Sequence, residues 1–475
     1  MSGAPTGSWW RSDDLWAMLM AAGLLTIAWW CTVPMSEATT EPGQPAFRNL
    51  LTPWLATPGG WSTDPLRAFS GPTEPGGPSR ASAVAVTMAG CALIVAVGLA
   101  GVGVPPARSV PAVGGLVALA TLAWLVNGQS LNKLLQLEYV LWAFAGGLFI
   151  SNVIGTPAWL RPALRGELYI KIGLVLMGAS LLFGTLMKLG PPGILVSWVT
   201  TPIVLVTTYL FGQRVLKIES RSLNLVLSAD MSVCGVSAAV ATAAACRAKK
   251  EELSIAIGIS LAFTVIMMFA LPMAIEAMGL DQVLAGAWIG GTVDSTGAVV
   301  AAGELVGPVA RDVAASVKLI QNVLIGVISL AVAAWWARTE DDGAASLAVR
   351  PAATLSAGNM VAEIWRRMPK FVFGFLGASA LFTLLAASGP GRDVAVATML
   401  KGPVKMMQSW CFCLGFVSIG LETEVRRLAT AMGSWKPVAL YVCGQTFNLF
   451  LTFVMAWLAF RVIFPDVAAR LAGGG

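Results

Sequence analysis

Four ionisable side chains lie inside long apolar stretches of this 475-residue chain. Two are aspartates, Asp230 and Asp294, and two are lysines, Lys171 and Lys318. A charge at the centre of a bilayer costs about 2.5–3.5 kcal/mol on insertion scales, so each of them requires a reason. A carboxyl can hold a proton or a cation, whereas an ammonium group can attract an anion. These residue types therefore indicate ion handling within a membrane.

Both aspartates are surrounded by the small and polar residues that are typical of an interrupted membrane helix. Interrupted backbone is tolerated at membrane depth only beside a cavity or inside protein. The N-terminus of a half-helix suits an anion, whereas carboxylates and unpaired carbonyls suit a cation or a proton. The sequence therefore predicts substrate-binding or ion-binding roles around the two aspartates for Cys234, Gly235, Ser237, Gly291, Ser295 and Thr296.

Each of these ionisable groups also has a purely structural interpretation. Asp230 could pair with a lysine and lock two helices together, and the lysines could extend to the membrane interface. Further polar residues lie in apolar segments, where they either line a path or bridge helices. Those that we include as candidate binding residues are Asn322, Gln445 and Asn448, together with Glu422 at an expected helix end.

The composition places the whole chain in a membrane. Hydrophobic residues make up 56% and charged residues 12%, with a mean hydropathy of +0.75, whereas soluble domains carry about 25% charged residues. The absence of histidine removes histidine-based catalysis and the commonest transition-metal ligand. No phosphate-binding loop and no basic stripe with aromatics is present. We therefore expect a transporter without metal or cofactor, neither an enzyme nor a nucleic-acid binder.

About thirteen segments are apolar enough to span or nearly span a bilayer. The first lacks a basic leader and a cleavage site, so we interpret it as a retained helix of a multi-pass protein of the plasma (inner) membrane. The segments cover 14–35, 81–103, 110–127, 137–155, 167–187, 192–213, 222–247, 252–278, 283–304, 312–337, 371–389, 402–421 and 436–463.

Two hydrophilic connections divide these segments. Residues 36–80 are rich in Pro, Gly, Ser and Thr, which favours an irregular loop with a short amphipathic piece near Phe47–Leu55. Residues 338–370 begin and end with charged residues and are interpreted as a cytoplasmic linker. Residues 1–136 then form an N-terminal region of extra helices and a loop.

The last ten helices can be divided into two sets of five, 137–278 and 283–463. The strings Ala145–Asn152 and Ile289–Thr296 correspond in this division, and Lys171 matches Lys318. Because five is odd, two such copies enter the membrane from opposite sides, as in inverted-repeat transporters. The expected fold is therefore an all-α polytopic protein with a 5+5 inverted repeat. Its interrupted helices should cross, with interruptions within 225–240, 290–297 and 405–422.

Several strings resemble the YeiH-type sulfate exporter family of bacterial membrane proteins. The resemblance covers roughly residues 137–463, and its strings occur in the family's order. They are Gly173–Gly178, Ser232–Ala239, Lys249–Glu252, Gly286–Gly290 with Asp294 and Val299–Ala302, Val317–Leu319, Ile419–Thr423 and Gln445–Leu449.

The resemblance implies relationship to the sodium/proton antiporter and bile-acid symporter superfamily, whose helices are interrupted and crossed. Because dimers are common there, it also implies a homodimer, although no motif of this chain indicates one. Two departures fall on the expected site. Val293 stands where the family usually has histidine, and Gln321 stands where the family has arginine. The substrate and the coupling ion of this chain could therefore differ from those of the family.

Three functions remain to be distinguished. The first is a secondary transporter of a small inorganic or organic anion, sulfate or a sulfonate, coupled to a proton or sodium gradient. In it Lys171 and Lys318 attract the anion, and Asp230 or Asp294 handles the coupling ion. The second is a cation/proton antiporter that uses the two aspartates. The third is a membrane scaffold or sensor that transports nothing, in which the polar residues only hold helices together.

Overall fold

The computed structural model describes residues 12–35, 47–134, 138–181, 183–339, 369–389, 391–424 and 435–472. In these ranges the chain is helical apart from turns, connections and one short antiparallel pair of strands, β1 (Thr32–Pro34) and β2 (Phe47–Asn49). Seven of the described helical segments are long and apolar enough to cross a membrane, and four shorter apolar ones accompany them. The all-α polytopic fold is confirmed, while the count of thirteen stays a prediction.

The described helices are numbered here in their order along the chain. Their bounds are α1 Asp13–Trp30, α2 Arg80–Val102, α3 Pro106–Asn127, α4 Ser130–Leu134, α5 Tyr139–Phe149, α6 Gly166–Ser180, α7 Phe183–Ile194, α8 Thr200–Arg214, α9 Arg221–Ser232, α10 Val236–Ala245, α11 Lys250–Met278, α12 Gln282–Thr292, α13 Thr296–Val306, α14 Pro308–Asn322, α15 Leu324–Thr339, α16 Phe371–Ala387, α17 Arg392–Met399, α18 Lys405–Glu422, α19 Trp435–Trp457 and α20 Pro465–Ala472.

The two hydrophilic connections are described to different extents. In the first, the expected amphipathic piece near Phe47–Leu55 is β2 followed by a single 3-10 turn, Thr52–Trp54. Most of the second, residues 340–368, lies outside the described residues, so the cytoplasmic linker stays a prediction.

The chain divides into two compact units. Unit 1 comprises Met1–Thr185 and Lys370–Glu424, and unit 2 comprises Leu186–Pro369 and Val425–Gly475. Each unit takes segments from both proposed repeats. The inverted repeat itself stays a prediction.

Unit 1 packs its helices through glycines. α18 lies against α5 and α6, and α6 also lies against α1 and α16. A Cβ on Gly147 of α5 would lie 2.5 Å from the Val417 carbonyl oxygen, and one on Gly420 would lie 2.4 Å from the Phe144 carbonyl oxygen. Such close approach of backbones is how membrane helices associate, because apolar burial gives no preference for protein over lipid.

In unit 2, glycines likewise allow α12 to pack closely against α14. Cβ atoms on Gly286 and Gly290 would lie 2.5 Å from the carbonyl oxygens of Ala310 and Ala314. The four-residue spacing on each helix places small residues on one facing stripe. This contact fixes the end of α12 beside the middle of α14, where Lys318 lies.

One expected interruption is absent. We expected unwinding within 405–422, but α18 is a continuous helix from Lys405 to Glu422, so this prediction was wrong. A kink precedes it at Gly402, whose φ of −90° and ψ of −106° are not helical. The small residue Gly415 serves packing, because a Cβ there would lie 2.5 Å from the Ile170 side chain of α6.

Candidate functional site

The first interruption in unit 2 separates α9 from α10. Val233 leaves the helical conformation, and Gly235 adopts φ +66° and ψ −129°, a region that residues with a Cβ rarely enter. The Gly235 N–H donates to the Asp230 carbonyl at 3.0 Å, which closes the turn. The interruption that we predicted within 225–240 is therefore confirmed, and a glycine is what allows it.

The second interruption separates α12 from α13 at Val293–Ser295. Val293 and Ser295 are extended, and the Ser295 hydroxyl accepts from the Ala298 N–H at 3.2 Å, which caps α13. A Cβ on Gly235 would lie 3.5 Å from the Cβ of Asp294. The interruption expected around 290–297 is thus confirmed, and the two interruptions meet.

Two carboxyls and one amine lie buried where the interruptions meet, and we call Asp230, Asp294 and Lys318 the ionic cluster. They are 0%, 1% and 1% exposed. The Tyr441 hydroxyl of α19 donates to Asp294 Oδ2. Asp294 and Lys318 interact electrostatically with Asp230, which also has a side-chain hydrogen bond with Ser260. The cluster therefore holds two carboxyls against one amine.

Lys318 acts on the end of α9. Its Nζ donates to the Val233 carbonyl at 2.5 Å and to Gln321 Oε1 at 2.8 Å. Gln321 Nε2 in turn donates to the Ser232 carbonyl at 3.1 Å. Carbonyls at a helix end have no partner within the helix and carry the negative end of its dipole. An ammonium group at this end donates a hydrogen bond to an unpaired carbonyl and offsets the negative end of the helix dipole.

Two amides of α19 complete the pairing of these ends. Gln445 Nε2 donates to the Thr292 carbonyl at 3.0 Å, at the end of α12. Asn448 Nδ2 donates to the Met231 carbonyl of α9 at 3.2 Å, and its Oδ1 accepts from Thr452 at 3.0 Å. Side chains of α14 and α19 thus pair with the backbone carbonyls at the ends of both interrupted helices.

The N-terminal ends of α10 and α13 are the accessible part of this site in unit 2. Ser237 is exposed, and Ser295 and Thr296 are half-buried. α10 begins without a side-chain cap, and Asn322 Nδ2 donates to Thr296 Oγ1 at 3.3 Å. The positive ends of two half-helix dipoles are therefore reachable, while the ionic cluster beside them is buried.

Cys234 and Gly291, also predicted for the site, lie at the interruptions themselves. Cys234 is 7% exposed and interacts electrostatically with Lys318. The Gly291 carbonyl accepts from Gln321 Nε2 at 3.4 Å, and a Cβ on Gly291 would lie 2.6 Å from Thr452 Cγ2. Gly291 is thus required for close packing of the end of α12.

Lys171 and Glu422 belong to unit 1 and do not join the ionic cluster. Lys171 Nζ lies 2.9 Å from Asp14 Oδ1 and 3.3 Å from Glu167 Oε2, and it sits 5.6 Å from the centre of the Phe371 ring. Glu422 is exposed at the end of α18. A role for either residue in binding stays a prediction.

Tyr441 is the member of the site that sequence reasoning missed. It precedes Gln445 by four residues and Asn448 by seven, so all three share one face of α19. That spacing was the available signal. An aromatic residue in an apolar helix does not by itself indicate a polar contact, and its partner Asp294 is 147 residues away.

Comparison with known proteins identifies relatives. Residues 114–440 match the family model described as conserved hypothetical protein 698. A UPF0324 membrane protein of Rhodopirellula baltica is 50% identical over 432 residues, which are 91% of this chain and 76% of the relative. Two UPF0324 membrane proteins of Nitratidesulfovibrio vulgaris are 47% and 48% identical, over 82% and 75% of this chain and 66% and 60% of the relatives.

No solved structure matches the chain. The relatives are named as membrane proteins, and this chain has its own apolar helices of membrane-spanning length. The chain is therefore a membrane protein that belongs to the conserved hypothetical protein 698 family.

Proposed function

We propose that the chain is a secondary transporter of the bacterial inner membrane that moves a small anion and couples this movement to an ion gradient. Sulfate and small sulfonates are the proposed substrate class. The observation that carries the proposal is the meeting of two interrupted helices at the ionic cluster. It functions as a carrier and not as an enzyme.

The energetic argument starts from the cost of burial. Two carboxyls and an ammonium group, each at most 1% exposed, are far more costly than apolar residues of similar size. Structural use explains Lys318, since it pairs the end of α9. Structural use does not explain an ionisable group at Asp230, because its hydrogen-bond partner is the neutral hydroxyl of Ser260.

The accessible helix ends support an anion as the substrate. Ser237 lies in the first turn of α10 and is exposed, while Ser295 caps α13 and Thr296 begins it, and both are half-buried. First-turn N–H groups and hydroxyls are donors, and the dipole favours negative charge at these ends. A tetrahedral oxyanion offers acceptors on every side, so it fits a set of donors of this kind.

Cation/proton antiport is the second candidate, because the ionic cluster has two carboxyls against one amine. In that function the carboxyls would alternately bind a proton and a metal cation. No anion would cross with them, so the two candidates differ in what accumulates inside a vesicle.

The test is flux through proteoliposomes that contain the purified full-length chain. Uptake of labelled sulfate is measured under an imposed proton or sodium gradient, with a pH-sensitive dye in parallel. Asp294→Asn should reduce gradient-driven uptake by about 100-fold while the melting temperature in detergent changes little. Asp281→Asn is the matched control, since Asp281 caps α12 in the same unit and contacts Arg461 at 2.6 Å.

Each result bears on one candidate. Sulfate uptake that is lost in Asp294→Asn and kept in Asp281→Asn supports anion transport. A sodium-driven dye signal without uptake of sulfate or sulfonate would establish antiport and overturn the anion. Absence of both signals, with a large loss of stability in Asp294→Asn, would mean that the polar residues only hold helices together.

A further inference from the structure

One end of unit 2 carries a group of basic residues that the proposed transport site does not use. The Ser220 and Ser222 hydroxyls at the start of α9 donate to the Glu252 carboxylate, in the first turn of α11, at 2.6 and 2.8 Å. Lys436 Nζ of α19 donates to the Lys217 carbonyl, just beyond α8, at 3.1 Å. These contacts bring several helix ends together. We call the basic residues of this end the basic rim, which comprises Arg214, Lys217, Arg221, Arg247, Lys249, Lys250 and Lys436.

The cations of the basic rim are available to a partner. All except the half-buried Lys436 are exposed, and none of the seven forms an ion pair within 4 Å among the described residues. The Glu252 carboxylate is occupied by the two serine hydroxyls and by the Lys249 N–H at 3.0 Å. Only Glu219 and Glu251 add exposed negative charge within the same stretches of sequence. The rim therefore has an excess of positive charge.

The opposite end of unit 2 pairs its cations. α11 begins in the rim and runs for 29 residues, about 43 Å at the usual helical rise, so Asp281 beyond its end lies on the far side. There Asp281 contacts Arg461 at 2.6 Å. α14 begins beside the start of α12, and its Arg311 lies 2.9 Å from Glu304 and 2.6 Å from Asp312. The arginines at this end thus have carboxylate partners, whereas the cations of the rim do not.

Two cations of the rim have a backbone conformation that favours glycine. Lys217 has φ +50° just after α8, and Arg247 has φ +53° just after α10. In the described part of the chain they are the only residues other than glycine with positive φ. At the ends of α2 and α11 the residue with this conformation is a glycine, Gly103 or Gly279, as is usual for helix ends.

The helix dipole does not account for this choice of residue. A cation offsets the dipole from any position in the last turn, including positions where a side chain costs the backbone nothing. At a left-handed position, by contrast, lysine and arginine are less favourable than glycine. The two side chains are therefore kept for a contact outside the fold.

Aromatic and apolar residues indicate what the rim faces. Trp435 at the start of α19 is exposed, and so is Trp335 of α15, whose ring lies 5.4 Å from that of Tyr209 near the end of α8. Tryptophan and tyrosine are enriched where a membrane meets water. Val215, just after α8, is also exposed, so apolar surface continues up to the rim. The rim therefore lies at the level of the lipid headgroups.

We infer that the basic rim lies in the cytoplasmic headgroup layer and binds the phosphate groups of anionic phospholipids, with Lys217 and Arg247 as anchoring cations. Clusters of about four to eight basic residues beside a membrane helix bind anionic lipid. An excess of lysine and arginine is typical of the cytoplasmic side. This surface is separate from the ionic cluster, and lipid binding does not depend on what the chain transports.

The first test measures lipid binding to the purified full-length chain in detergent. Phosphatidylglycerol, phosphatidylcholine with the same acyl chains, or glycerol phosphate is added at constant ionic strength, and the melting temperature is followed. A ligand that binds only the folded state raises this temperature in a saturable way. Phosphatidylglycerol should raise it by several degrees, whereas phosphatidylcholine and glycerol phosphate should not.

Replacing both anchoring cations by glycine isolates their side chains, because glycine suits the backbone at these positions. Lys217→Gly with Arg247→Gly should melt no lower than the wild type in phosphatidylcholine. It should bind phosphatidylglycerol about 25-fold more weakly, since each cation near an anionic surface contributes about fivefold. Lys217→Arg with Arg247→Lys keeps both charges and should keep the response. Arg470→Gln, which removes an exposed cation of α20, should keep it as well.

The second test determines which side of the membrane the rim faces. Glu219→Cys places a thiol in the rim, and Asp466→Cys places one on α20, which lies against α12 at the other end of unit 2. A membrane-impermeant maleimide should label Asp466→Cys in intact spheroplasts and Glu219→Cys only after the spheroplasts are opened. The wild type, whose Cys443 is exposed on α19, gives the background.

Equal melting temperatures in phosphatidylglycerol and phosphatidylcholine would overturn the inference, as would an undiminished response in the double glycine variant. A full response to glycerol phosphate would assign the rim to a soluble phosphate compound and overturn the lipid. Labelling of Glu219→Cys in intact spheroplasts would overturn the cytoplasmic placement. None of these results bears on the flux measurements, so the two proposals can fail separately.

Discussion

The lysines of the two units, half-buried Lys171 in unit 1 and buried Lys318 in unit 2, have different kinds of partner. In unit 1, Lys171 lies between two carboxylates, Asp14 at 2.9 Å and Glu167 at 3.3 Å. In unit 2, Lys318 makes no ion pair within 4 Å among the described residues, and its hydrogen bonds go to the Val233 carbonyl and the Gln321 amide. The first lysine has its charge balanced locally, whereas the second serves the end of an interrupted helix.

The same contrast holds for the carboxyls. Asp13 and Asp14 lie in the first turn of α1, where the helix dipole favours them, and contact Arg165 and Lys171. Asp230 lies near the end of α9, where the dipole is unfavourable, and its hydrogen-bond partner is the neutral Ser260 hydroxyl. Carboxylates that are paired with a cation stabilise a fold without further purpose. A buried carboxyl that is not paired in this way, kept in spite of its cost, indicates where the molecule binds something.

Replacing each lysine in turn by methionine should give the largest difference in stability between the two units. Lys318→Met leaves the Val233 carbonyl and the Gln321 oxygen without a donor and the carboxyls without their cation. Breaking a buried charge arrangement in this way costs about 3–5 kcal/mol. Lys171→Met should cost only about 1–2 kcal/mol, because the Glu167 side chain is 64% exposed and can be hydrated.

Unfolding in detergent, followed by thermal denaturation, measures both variants, and sulfate flux is measured for those that remain folded. Lys171→Met should keep the flux. An equal loss of stability in the two variants, or loss of flux in Lys171→Met alone, would reverse the assignment of roles to the two units.

Alanine at Gly235 gives the next largest effect. Its φ of +66° and ψ of −129° penalise any Cβ, and the new atom would meet Ser260 Oγ at 3.4 Å and Asp294 Cβ at 3.5 Å. Strain of this kind costs about 1–3 kcal/mol. We expect a lower melting temperature and loss of flux, since the strain falls on the meeting point of the interruptions.

Gly279 provides the control, with φ +62° at the end of α11 and no atom within 4 Å of the place that a Cβ would take. Gly279→Ala should lower stability by a similar backbone term of about 1 kcal/mol and leave flux unchanged. Should both variants lose flux equally, the position of Gly235 would have no special importance.

Much of unit 2 could be predicted from local sequence. The interruptions follow from glycine, serine and threonine beside Asp230 and Asp294, because these residues permit and cap non-helical backbone. The Gly286 and Gly290 spacing likewise indicates a close helix contact, which α14 provides. These features depend on residues within a few positions of one another, so a local stretch of sequence is enough to predict them.

The remainder depends on contacts that span the chain. Lys171 matches Lys318 in the proposed repeat, but Asp14, which lies 157 positions before Lys171, neutralises it. Gly415 resembles Gly235 as a glycine among small residues, yet it faces Ile170 and keeps its helix intact. Whether a glycine breaks a helix or admits a neighbour is decided by the neighbour, which local patterns do not contain.

The smallest expected difference between variants of the two units comes from two buried tyrosines. Tyr441 donates to Asp294 in unit 2, and Tyr169 donates to the Ala163 carbonyl at 2.6 Å in unit 1. Each acceptor keeps a second hydrogen bond, since the Ala163 carbonyl also accepts from the Arg165 N–H at 3.0 Å and Asp294 also contacts Gln445. Removing either hydroxyl therefore costs one buried hydrogen bond, about 0.5–1.5 kcal/mol. The two phenylalanine variants should therefore lose similar stability.

Their effects on transport should differ. Tyr441→Phe removes one of the two side-chain hydrogen bonds of Asp294 and leaves the one with Gln445. This changes how readily the ionic cluster accepts a cation, so the sodium concentration for half-maximal flux should shift by about tenfold. Tyr169→Phe should leave that concentration unchanged, because Ala163 belongs to unit 1. A shift in both variants would show that transport responds to general loss of stability, whereas a shift in neither would remove Asp294 from the coupling step.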